Sequence, residues 1–202
     1  MTESLSLPRF REIKRNLHLA DNGAVNKNDK LYKVREYIDK LNRNFMKFGC
    51  FAYKLSTDEQ MVPYFGRHSC NMYMKGKPLR FGFKVWCLCS SQGYLFNSIP
   101  YVGKDEAFHK EIGSGAGVEL QLLDVVENPQ EHEIYFDNFF TSHKLMIRLS
   151  ERNFFATGIV REGSFKASWT TARSCPSKNV VVTRQHLIRS TRLCRSSGST
   201  MQ

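Results

Sequence analysis

Asp58 and Asp137 are the residues whose types and positions could do chemistry together. Asp58 follows the run AYKLST, and Asp137 closes the run EIYF. Short apolar and aromatic runs like these predict strands. A carboxylate at the end of a buried strand has two uses: it caps the helix that follows, or it holds a metal at the sheet edge. Neighbouring strands lie about 5 Å apart, so carboxylates ending adjacent strands would sit side by side. That spacing suits two Mg²⁺ ions about 4 Å apart, which take hard oxygen ligands. One ion would activate an attacking oxygen, and the other would stabilise the leaving one. Spacing alone leaves both uses open, because any chain of this length has several Asp at strand ends.

The elements that must position this pair follow from periodicity. Pro8 to Leu19 carries Phe10, Ile13 and Leu17 at helical spacing, with Ser6 as the N-cap. Tyr32 to Phe48 places Val34, Tyr37, Ile38, Leu41 and Phe45 on one stripe, and Gly49 stops it. Both stripes are expected to face a core. After Gly49 the period changes. CFAYKLST predicts a strand to about Thr57, and residues 61–80 an irregular basic loop. FGFKVWCLCSSQGYLFNSIPYVG predicts a hairpin around Ser-Ser-Gln-Gly. KDEAFHKEIGSGAG predicts a Gly-rich loop that fits no nucleotide-binding pattern. A short helix over Val118 to Val126, a strand HEIYFD, a helix SHKLMIRLSER and a strand NFFATGIV complete the order, which is that of a mixed α/β sheet. Beyond Arg161 only NVVVTR offers a further strand.

Composition narrows the class. The 202 residues are 41% hydrophobic and 24% charged, a globular balance. No run approaches the roughly 20 apolar residues of a membrane helix, and MTESLSLPRFREIKR has no apolar stretch of a signal peptide. No membrane partner is expected, and the chain is expected in the cytosol or nucleus. Six Cys form no C-x-x-C pair, so a structural zinc site is not expected. Cys87 and Cys89 share one face of a strand and are expected to pack in the core. The net charge of +11 favours a polyanionic partner, nucleic acid first. Arg67, Lys75, Lys77 and Arg80 in the loop after Asp58, with Lys84 beyond it, are the candidate phosphate contacts. From Arg161 onward there are eight Arg or Lys and a single acid, Glu162.

The wording of several segments carries a resemblance. PRFREIKRNLHLADN at 8–22, DKLYKVREYIDKLNRNF at 29–45, LSTDEQMVPYFGR at 55–67, KPLRFGFKVWCLCSSQGYLFNSIPYVGK at 77–104, IYFDNFFTSHKLMIRL at 134–149 and FFATGIVR at 154–161 resemble the piggyBac transposase family, in order and with family-like spacing. The resemblance implies a ribonuclease H-like core with three metal-binding Asp. The first matches Asp58 and the second Asp137, with Asn138 and Thr141 shaping the site. It implies Mg²⁺ as cofactor, DNA with TTAA-type targets as partner, nicking followed by strand transfer, nuclear localisation and, as one assembly, a homodimer.

The tail departs from that pattern. No acid follows Glu162, so the third Asp has no counterpart. The expected architecture is therefore an N-terminal helical region over 1–49, an incomplete ribonuclease H-like mixed sheet over 50–161, and a basic, disordered tail over 162–202. The expected function is that of a truncated piggyBac-derived transposase-like chain, inactive for want of a third ligand. The alternatives are a domesticated DNA-binding module without catalysis, or a non-functional product whose open sheet edge invites aggregation.

Overall fold

The computed structural model describes residues 5–103 and 113–160 in full, and the backbone of residues 161 and 179–183. The chain divides into two units, Met1–Asn44 and Phe45–Gln202. The first unit holds α1 (Leu7–Asn16) and most of α2 (Tyr32–Phe48). Pro8 lies in the first turn of α1, where its missing N–H costs nothing. Ser6 precedes this helix, but its side chain makes no capping bond. Asp29 anchors the start of α2: its carboxylate accepts from the Leu31 N–H at 2.9 Å and pairs with Arg35 at 2.8 Å. The Arg35 guanidinium holds the Asp29 carboxyl down at about 2. The expectation that both helical stripes face a core fails for α1, whereas Val34, Ile38, Leu41 and Phe45 of the α2 stripe are half-buried. Phe10, Ile13 and Leu17 are exposed, and neither helix has a buried residue. Periodicity fixes which residues share a face, not whether anything covers it.

The second unit is a mixed sheet with helices on one face. Its strands are β1 (Lys54–Pro63), β2 (Met72–Tyr73), β3 (Phe81–Ser90), β4 (Leu95–Pro100), β5 (Glu133–Phe136), β6 (Phe155–Arg161) and β7 (Asn179–Thr183). They run in the order β2-β3-β1-β5-β6-β7, with β4 also on β3. β1 pairs antiparallel with β3 and parallel with β5, β5 pairs parallel with β6, and β6 antiparallel with β7. The helices are α3 (Ser114–Leu123) and α4 (His143–Glu151). The fully buried side chains include Leu55, Leu88, Phe96, Ile134, Leu145 and Phe154. They come from one face of the sheet, from the helices over it and, for Phe154, from the turn into β6.

Three boundaries differ from the sequence expectation. β1 does not stop near Thr57 but continues to Pro63, in an antiparallel ladder with β3 from Leu55↔Ser90 to Pro63↔Gly82. Its polar DEQ hid this, because a strand solvated on one face tolerates such residues when its partner fixes the register. Gly82 lets the ladder close: a Cβ there would collide with the Val62 carbonyl. α3 begins inside the expected Gly-rich loop, at Ser114. Gly115 packs directly on the backbone of Phe139, so glycine here serves close packing and not a turn. NVVVT, in the tail expected to be disordered, joins the sheet edge as β7. The rest of that tail lies outside the described residues.

Candidate active site

β1 and β5 deliver the two carboxylates. Their parallel register runs from Lys54↔Glu133 to Thr57↔Phe136, so the next residues, Asp58 and Asp137, stand side by side on neighbouring strands. Adjacent strand backbones are about 5 Å apart, as the sequence argument required. The positions are not equivalent. Asp137 lies just past the end of β5, whereas Asp58 sits within β1, opposite Cys87.

Each carboxylate is held by backbone. The Glu59 N–H donates to Asp58 Oδ1 at 2.7 Å, and the Phe139 N–H donates to Asp137 Oδ1 at 2.8 Å. The second bond closes a local turn. It is not a helix cap: α4 starts later and is capped by Ser142, whose hydroxyl accepts from the Leu145 N–H at 3.2 Å. Thr141 fixes the same turn, its hydroxyl donating to the Asp137 carbonyl at 2.7 Å. The opening alternatives therefore separate, because Asp137 is not the residue that starts the helix. Residue 58 is solvent-exposed, yet crowding around its carboxyl raises the pKa. Burial is the main cause, the Glu59 charge adds to it, and the Glu59 N–H and the Lys77 charge oppose it.

Two lysines expected to meet phosphate are engaged within the protein. Lys77 pairs with Glu59 at 3.0 Å, and that bond raises its pKa. Lys84 is half-buried, its Nζ 3.7 Å from the centre of the Trp86 ring and 5.0 Å from that of Phe139. Burial lowers its pKa, against the pull of Glu59, Asp137 and Asp58. Phe139 stacks on Trp86 at 5.0 Å, so the turn after Asp137 is clamped to β3. Arg67, Lys75 and Arg80 are exposed. Cys87 is buried as expected, with its thiol pushed up to about 12, while Cys89 is half-buried.

Sequence reasoning missed Glu119. This α3 residue is fully buried, and neither carboxyl oxygen finds a hydrogen-bond partner. The Thr57 hydroxyl approaches closely enough to favour the charged form, but the geometry of a hydrogen bond is not met on either side. Burial dominates and pushes the Glu119 carboxyl up to about 8, with the Asp137 charge adding to it. The signal was an acid flanked by Val118 and Leu120 in a largely apolar helix. Among the described residues no three His, Cys, Asp or Glu side chains gather into a group that could hold a metal.

Comparison with known proteins identifies the family and the fold. A family model described as Transposase IS4 matches residues 1–200, a span that takes in the tail the sequence reading had set apart. The human piggyBac transposable element-derived protein 3 is 44% identical over 157 residues, 76% of this chain and 26% of that protein. The human piggyBac transposable element-derived protein 2 is 34% identical over 184 residues, 89% of this chain and 30% of that protein. The chain thus spans under a third of the length of these relatives. A piggyBac transposase solved as a synaptic complex with hairpin DNA shares the fold, with a TM-score of 0.77 at 22% identity over 93% of this chain and 48% of that one. DDE transposases are generally metal-dependent. With the family model matching nearly its whole length, the chain belongs to the piggyBac transposase family.

Proposed function

We propose that this chain is a DNA-binding portion of a piggyBac transposase core that holds one divalent cation, Mg²⁺, between Asp58 and Asp137 and does not cut DNA. The observation that supports the reading is the β1–β5 register, whose last pair, Thr57↔Phe136, makes Asp58 and Asp137 the next residues along neighbouring stretches of chain. Two adjacent carboxylates fit a hard cation that keeps several waters. When bound, such an ion would polarise a phosphoryl oxygen. The chain's own part is to orient the pair. The Glu59 and Phe139 amides fix one oxygen of each carboxylate, and Thr141 holds the turn that presents Asp137. Among the described residues no third acid joins the pair, and a pair without one should lose most of the transition-state stabilisation of a two-metal site. Exposed Arg67, Lys75 and Arg80 would meet phosphates, while Lys77 and Lys84, held by Glu59 and Trp86, would add positive charge. DNA of TTAA type, nuclear residence and a homodimer belong to the same reading by family likeness.

The test has two arms. Fluorescence anisotropy with duplex DNA should show binding that weakens steeply with salt, because phosphate contacts release counterions. A supercoiled plasmid should stay uncut in Mg²⁺ and in Mn²⁺. Absence of salt-sensitive binding overturns the DNA reading. Cleavage that disappears in Asp137→Ala overturns the non-catalytic reading.

A further inference from the structure

Residues 62–84 carry Arg67, Lys75, Lys77, Arg80 and Lys84 and no acid. Interleaved with these cations are aromatic side chains in solvent. Phe65 is 87% exposed, and Tyr73 and Phe81 are each about half exposed, at 54% and 51%. These rings stand on an ordered frame. Tyr73 and Phe81 pack on each other at 5.0 Å across the short β2–β3 ladder. Tyr64 lies 4.9 Å from Phe83, and His68 packs edge-on to the same ring at 5.1 Å. The Asn71 amide donates to the carbonyls of Tyr64 and Gly66, at 3.4 and 3.0 Å, which pins the segment that displays Phe65. The His68 ring accepts from the Cys70 N–H at 3.1 Å. Between Arg67, His68, Asn71, Tyr73 and Phe81 lies an open cleft of about 690 Å³.

We infer that this aromatic, basic surface takes a DNA strand with unpaired bases, which stack on Phe65, Tyr73 and Phe81 while Arg67, Lys75 and Arg80 meet its phosphates. The inference rests on the DNA-binding reading above and goes beyond it in the form of DNA recognised. Charge selects the occupant: an apolar partner would leave the cations without counter-charges, whereas a polyanion supplies them. The rings narrow the choice further. In a duplex the bases stack on each other and hide their faces, so an exposed ring gains a stacking partner only where bases are unpaired. Stacking of this kind tolerates any base sequence.

The experiment compares a labelled oligothymidylate with a duplex of equal length, by anisotropy, on the full chain. The single strand should bind more tightly. Phe65→Ala should weaken single-strand binding about tenfold and leave duplex binding unchanged, since stacking on one ring is worth about that much. Phe65 is almost wholly exposed, so this variant should melt as the parent does. Tyr73→Ala, checked for folding by circular dichroism, should act in the same direction. The double variant Arg67→Ala, Arg80→Ala should weaken both ligands and flatten the salt dependence of both. Equal loss on single strand and duplex in Phe65→Ala, or no loss on either, overturns this inference and leaves duplex binding standing. Failure of the parent chain to bind any DNA overturns both readings. Self-association in solution that Phe65→Ala abolishes, without single-strand preference in the parent, assigns the patch to a second copy and overturns the inference as well.

Discussion

Successive residues of one strand carry the contrast between a dry carboxyl group and a wet one. Thr57 points into the core beneath α3, where Glu119 sits without a hydrogen-bond partner and is held protonated by burial to about 8. Asp58, on the opposite face by the alternation of the strand, is exposed and stands beside Asp137. Both acids have raised pKa values with burial as the main cause, but at Asp58 a backbone N–H and a lysine push back. At Glu119 no donor completes a bond. An acid can thus lie near exposed aspartates and still behave as a core defect. What separates the two uses is access to water and donors.

Changing Glu119 should give the largest effect. Its folded pKa lies above the ordinary 4.5, so the folded state grips the proton more tightly than the unfolded state. Its contribution to stability is therefore fully present below about pH 4.5 and is lost as pH rises through about 8. Glu119→Gln should gain little near pH 4.5 and stabilise by up to about 5 kcal/mol above pH 8, read by urea unfolding across pH. A pH-independent difference would show that Glu119 has a partner, and the contrast with Asp58 would fall.

Gly115→Ala comes next. The new methyl would meet the Phe139 backbone and push on the turn that displays Asp137. A loss of about 1–3 kcal/mol is expected, typical of overpacking. Thermal melting measures this, and an unchanged melt would mean that the turn yields freely and is not the rigid support described above.

Asp58→Asn should act in the opposite sense to a stabilising contact. Its carboxyl is strained by crowding, so the variant should melt slightly higher without metal, at pH above the ordinary carboxylate range. It should also lose any rise in melting temperature caused by Mg²⁺ or Mn²⁺, while Glu119→Gln keeps it. If Glu119→Gln loses the metal response and Asp58→Asn retains it, the assignment of the wet and dry acids is reversed.

The smallest effect is expected from Lys77→Met. The Lys77–Glu59 pair spans 3.0 Å, but the lysine side chain is 42% exposed, and such pairs contribute at most about 1 kcal/mol. A larger loss in a Lys77→Met, Glu59→Gln double-mutant cycle would bring Lys77 into the structural support of the site.

The sequence by itself determined most strands and helices of the second unit, though not the short β2 inside the expected loop, and it determined the hairpin and the family and singled out the two aspartates. Each of these rests on local periodicity or on long, uncommon words such as YFDNFFTS. It also determined the basic character of residues 62–84. Tertiary structure alone decided that β1 runs on to Pro63, because the register that carries its polar residues comes from pairing with β3. It decided that the α1 stripe stays exposed, that Gly115 and Gly117 enter a helix, and that Lys84 lies over Trp86. It also decided that Glu119 is buried beside Thr57. Local pattern fixes which side chains share a face. Burial, register and charge environment depend on partners distant in the chain, and their interactions with a residue exist only once the sheet has assembled.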